Sequence, residues 1–146
     1  MITLRYIILT IFMIPCMVAS GQETSNTIEG TWIFDYKSSY EEMDTDIKAY
    51  FEKMPLERQE MIKQSYIGRK LMIKSDGTLS QIDSNESTID CTWSLKDDGK
   101  VLEVVYPDGL VNLENIALLT ENKLVLVPKD TENGKLFFPQ WYFTKN

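Results

Sequence analysis

From Ile28 onward the chain is written as short runs of alternating apolar and polar residues, separated by tight-turn signals. In "TIDCTWSL", Ile89, Cys91, Trp93 and Leu95 share one face, and Asp90, Thr92 and Ser94 share the other. Leu102, Val104 and Tyr106 oppose Val101, Glu103 and Val105 in the same way. A period of two is the signature of a strand with one buried face. Eight such pieces are predicted, over 28–36, 68–75, 78–83, 87–95, 100–106, 109–118, 123–128 and 135–144. The breaks between them are "SDGT", "DDGK", "PDGL", "TENK" and "TENGK". Asp-Gly and Asn-Gly supply the positive φ of tight hairpins, so successive strands are antiparallel neighbours. The pattern predicts an all-β fold, an eight-stranded up-and-down antiparallel β-barrel, which also leaves no open edge.

One segment breaks this rhythm. In "SSYEEMDTDIKAYFEKMPLERQEMIKQSY" (Ser38–Tyr66), Met43, Ile47, Tyr50, Phe51 and Met54 recur at helical spacing. Pro55 ends that helix and suits the first turn of another, with Met61 and Ile62 on its inner face. Two short helices are therefore expected between the first and second strands. An amphipathic stripe is ordinary packing, which favours a plug at one barrel end over a lid on a pocket.

The first strand, "IEGTWIFDY", carries the smallest residue two positions before the largest. A glycine inside a strand marks a bend or a close approach of neighbouring atoms. Gly30 and Trp32 are thus expected as structural residues, with the strand curving while Trp32 fills the barrel floor. Phe34 and Tyr36 continue the same inward face.

Ahead of the strands, "MITLRYIILTIFMIPCMVAS" has Arg5, then an apolar run from Tyr6, then a small-residue exit. This order predicts a secretory signal peptide over 1–20, cleaved after Ser20 or Gly21. Pro15 keeps the run below the roughly 20 residues of a membrane span. Cys16 in "MIPC" offers a lipid anchor as an alternative, although Pro15 suits a lipoprotein box poorly. The polar stretch 21–27 is a linker, and 28–146 is one domain, large enough for a single core. Export implies a periplasmic or secreted protein, or a membrane-anchored lipoprotein where Cys16 carries the lipid.

The chain has a formal net charge of −7, and loss of Arg5 with the leader makes it −8. Such a surface repels nucleic acid and anionic membranes. Cys91 is the one cysteine outside the leader, so no internal disulfide is available and a monomer held by packing is expected.

Several of these pieces together resemble a known family. Gly-x-Trp in the first strand, read here as Gly30, Thr31 and Trp32, is similar to the lipocalin motif. More closely, "GTW", a helical insert, "SDGT", "CTWSL" and "LLTENKLVLV" follow the order found in small lipocalin-like domain proteins of Bacteroidetes-type bacteria. The resemblance implies a calycin-type barrel, an extracytoplasmic location, and binding in place of catalysis. It also implies a basic residue near the last strand packed on the tryptophan, for which Lys145 is the late candidate. No common ligand comes with it.

Histidine is absent, which removes Ser-His and Cys-His nucleophile pairs and the usual His-rich metal sites. Cys91, in phase with Ile89 and Trp93, reads as a buried small hydrophobe. The acids of "EEMDTD", "DSNE" and "DDG" do not follow calcium-loop spacing and read as solvated turn and helix-start groups. No catalytic residue, metal or cofactor is expected, and the protein is read as no enzyme. Arg69 lies in phase with Leu71 and Ile73, and Gln81 with Leu79. Arg69 is either a strand-end group reaching water or, with Gln81, a polar anchor of an apolar pocket. The candidate ligand-binding set is Phe34, Tyr36, Arg69, Leu71, Leu79, Gln81, Trp93 and Tyr106. Two functions follow: a binding barrel for a small apolar or amphipathic ligand, or a filled barrel whose outer face contacts another envelope protein.

Overall fold

Eight strands follow one another around a closed ring in the computed structural model, which describes residues 27–129 and 137–146. They are β1 (Gly30–Phe34), β2 (Lys70–Ile73), β3 (Thr78–Ile82), β4 (Thr88–Lys96), β5 (Val101–Val105), β6 (Val111–Leu119), β7 (Lys123–Pro128) and β8 (Trp141–Lys145). Every neighbouring pair is antiparallel, and β8 closes on β1 through Ile33 opposite Thr144 and Phe34 opposite Phe143. The fold is the expected eight-stranded antiparallel barrel. The leader with Cys16, the linker before Thr27 and the "TENGK" turn lie outside the described residues.

The strands are staggered, as closure requires. β4 pairs with β3 through Thr88–Thr92 and with β5 through Thr92–Lys96. Its centre is therefore enclosed, with Cys91 buried, while its ends overhang. Ile89 and Leu95, expected inside, are 44% and 42% exposed for that reason.

Three helices, not two, separate β1 from β2: α1 (Tyr36–Glu41), α2 (Thr45–Glu52) and α3 (Leu56–Tyr66). The first arises because Asp35 is an N-cap. Its Oδ1 accepts from the Ser38 backbone N–H at 3.1 Å and its Oδ2 from the Ser38 hydroxyl at 2.6 Å. The strand expected to reach Tyr36 therefore stops at Phe34. Pro55 does start α3, as expected, at the N-cap position. The single stripe is broken, however. Met43 lies in the turn between α1 and α2 and is buried, whereas Tyr50 and Met61 are each 64% exposed. A stripe read through a break assigns the wrong faces beyond it.

The connections divide the barrel into two ends. Short turns join β2 to β3, β4 to β5 and β6 to β7 at one end, where β1 starts and β8 finishes. The helices and the β3–β4 and β5–β6 loops lie at the other. Trp32, fully buried, packs in the closed end with Ile28, Ile73 and Leu124. Its indole N–H donates to the Ile28 carbonyl at 2.7 Å, so burial leaves no donor unpaired. The Lys145 ammonium sits 5.0 Å from the Trp32 ring centroid. This explains the glycine. Gly30 has φ +134°, and a Cβ there would stand 2.5 Å from Lys145 Cε. The small residue admits the lysine stem crossing the tryptophan, in a backbone conformation L side chains avoid.

Candidate functional site

Residues directly opposite across a ladder point to the same face. On β5, Leu102 and Val104 are buried and point inward, so their β6 partners Glu114 and Asn112 do also. By the same logic Leu71 and Gln81 face inward together from β2 and β3, as do Leu126 and Trp141 from β7 and β8. These side chains enclose a cavity of about 250 Å³ in the half of the barrel nearest the helices. Its walls are apolar over Leu71, Leu79, Leu102, Val104, Leu126 and Phe143. Gln81, Tyr106, Asn112 and Glu114 supply polar groups, and Arg69, Lys70 and Asp83 form part of its edge.

Inside the cavity, the Gln81 amide N–H donates to the Tyr106 hydroxyl at 2.8 Å. Burial pushes the Tyr106 phenol above its ordinary range. Glu114 is more unusual. Its Oε2 is buried and, among the described residues, has no hydrogen-bond partner. Desolvation alone raises its pKa to about 7, since a charged carboxyl without partners is costly in a low-dielectric surrounding.

The structure brings together five of the eight expected ligand-binding residues: Arg69, Leu71, Leu79, Gln81 and Tyr106 line the cavity. Phe34, Tyr36 and Trp93 lie elsewhere among the described residues. Phe34 is buried in an aromatic cluster, with ring centroids 5.5–5.7 Å from Tyr66, Phe138, Trp141 and Phe143. Tyr36 left the barrel when Asp35 capped α1; it stacks on Tyr40 at 6.0 Å beside a shallow groove with Phe51. Trp93 belongs to the closed end, where its indole donates to the Lys74 carbonyl at 2.9 Å.

Arg69 sits at the rim and is already engaged. Its Nε donates to the Ser65 carbonyl at 2.8 Å and lies 3.7 Å from Asp83 Oδ1. Its guanidinium covers the Tyr66 ring at 4.4 Å. Arg69 thus stands immediately before β2 with its guanidinium held by protein groups, and it also forms part of the cavity's edge. Cys91 is buried in the barrel wall, and desolvation pushes its thiol up, away from the reactive thiolate.

Sequence reasoning missed Asn112 and Glu114. In "VNLENIALL" the residues alone do not say which face is inward, whereas the hairpin at "PDGL" sets Glu103 opposite Leu113 and Leu102 opposite Glu114. Matching the two strands across that turn was the available signal.

None of the helical residues lines the cavity; they pack on the aromatic cluster beside it. Among the described residues, no cluster of three or more His, Cys, Asp or Glu side chains could hold a metal ion, and no helix is long and apolar enough to cross a membrane. No protein-family model matches the chain, and no curated protein matches it in sequence.

Proposed function

We propose that the barrel is a binding protein, exported from the cytoplasm, that holds one small amphipathic molecule in its upper interior. The observation that carries this reading is the cavity itself: about 250 Å³ of space walled by inward side chains, with polar groups gathered on β3, on β6 and at Tyr106 just after β5. An apolar wall with a few convergent polar groups is the usual composition of a ligand site. It favours a small ligand over the filled-interior alternative, in which packing would leave no such space.

Volume bounds the ligand. A cavity of about 150 Å³ takes benzene, so this one takes a body roughly 1.7 times as large. A compact ring with a short substituent fits; a long acyl chain would have to leave through the mouth. Binding in place of catalysis is supported by the arrangement of acids. Glu114 is the carboxyl within the cavity, while Asp83 stands at the rim beside Arg69. Hydrolysis of a glycoside, for one, asks for two carboxyls placed across the substrate.

Native mass spectrometry of freshly purified protein tests the reading. An adduct that is lost on denaturation supports it. Bare protein that also fails to bind an environment-sensitive apolar dye contradicts it. N-terminal sequencing of the mature protein tests export separately, with a start at Gly21 or Gln22 expected, against Cys16 for a lipid anchor.

A further inference from the structure

A binding cavity that keeps an unpaired carboxyl in its wall is specific for something. Glu114 projects from β6 among apolar groups, with Leu102 opposite on β5 and Pro128 opposite on β7. Glu114 lines the cavity, and its Oε2 is buried with no hydrogen-bond donor among the described residues. No ion pair among the described residues includes it. Of the two cations at the cavity's edge, Arg69 is held at the rim by Ser65, Asp83 and the Tyr66 ring, and Lys70 forms no ion pair with Glu114. The neighbouring amide of Gln81 is spent on Tyr106.

Such a carboxyl is costly to the empty protein, and the cost is relieved only by a proton or by a cation brought in from outside. A neutral donor would satisfy one lone pair and leave the charge. A charge-assisted bond in a low-dielectric site satisfies both. The acidic chain, at −7 overall, raises the local concentration of small cations and disfavours anions.

We infer that the cavity selects a small organic cation, an ammonium group on a compact apolar body, with the ammonium on the Glu114 carboxylate and the body against Leu71, Leu79, Leu126 and Phe143. This inference rests on the binding reading above and deepens it by naming the ligand class. The titratable and charged groups that face the cavity are Glu114 and Tyr106 and, at the rim, Arg69, Lys70 and Asp83. The raised pKa of Glu114, about 7, adds a signature. Amine affinity should weaken as pH falls below that value, approaching about tenfold per pH unit, because the proton and the ammonium compete for one carboxylate.

The test is a matched series of one shape: phenethylamine, phenethyl alcohol, hydrocinnamate and propylbenzene, titrated at pH 8 by calorimetry and ligand-observed NMR. Against the wild-type protein, the amine should bind at least about tenfold tighter than the alcohol, and hydrocinnamate weakest of all, a margin expected for an added charge-assisted bond. Glu114→Gln, nearly the same shape, should remove that preference and leave propylbenzene unchanged, with circular dichroism confirming the fold. Amine and alcohol binding equally, hydrocinnamate binding best, or an amine preference that survives Glu114→Gln would overturn the inference while leaving a binding barrel. Failure of all four probes, propylbenzene included, would overturn the binding reading with it.

Discussion

The two halves of the barrel interior obey the same alternation and reach opposite results. At the closed end, Trp32, Ile73 and Leu124 fill the space, and both indole donors have partners, Trp32 on the Ile28 carbonyl and Trp93 on the Lys74 carbonyl. At the helical end, the same inward positions hold Gln81, Asn112 and Glu114 around an open volume. Large aromatics are as plentiful there, but Phe34, Tyr66, Phe138 and Trp141 gather to one side beneath the helices. A barrel of eight strands can just fill its interior with side chains. Here it does so in one half, and the difference between halves points to the site better than either half alone.

The largest effect should come from the filled half. Trp32→Ala should cost about 3–5 kcal/mol, the range for aromatic truncation in a packed interior, read from chemical denaturation. An unchanged midpoint would mean the closed end is not the structural half. The open half should respond in the opposite direction. Glu114 has its folded-state pKa raised to about 7 from 4.5, so the folded protein holds this proton more tightly than the unfolded chain does. Its contribution is therefore fully present below pH 4.5, declines as pH rises, and is lost above about 7. Glu114→Gln should make the ligand-free protein more stable at pH 8, by about 3 kcal/mol, with the gain vanishing near pH 4.5. A loss of stability at pH 8 would show that the carboxyl has a partner in solution.

Gly30→Ala should cost about 1–3 kcal/mol through its positive φ. Because the Lys145 stem is flexible, adding Lys145→Ala should recover the steric part of the loss but not the backbone part. Full recovery would mean that contact with Lys145, not conformation, demands glycine. The smallest effect belongs to the rim. Arg69→Ala should change stability by less than about 1 kcal/mol, since its ion pair is partly exposed. A larger loss would make the rim part of the structural core.

The architecture was legible because hairpin signals and a period of two agree along most of the chain. "DDGK" and "PDGL" set the β4–β5 and β5–β6 hairpins, and the inward faces of β2, β3 and β5 follow from Leu71, Leu79 and Leu102. What escaped was local competition. Asp35 capping Ser38 converts the end of a strand into a helix and takes Tyr36 away from the interior. The break at Met43 divides one apparent helix into two. The candidate site was legible where apolar positions led into it, as at Leu71 and Leu79. Glu114 was illegible by polarity, because a carboxyl facing inward contradicts the rule used to find inward faces. Cross-strand register, opposite Leu102, identifies it.

The central claim, that one half of this barrel is built to be filled from outside, is tested most directly by methyl-resolved NMR during titration with phenethylamine. The account predicts saturable shifts at Leu71, Leu79, Leu102, Val104 and Leu126, and none at Ile28, Ile73 or Leu124. Shifts spread over the closed end, or confined to exposed methyls such as Leu56 and Leu110 on the outer surface, would contradict it.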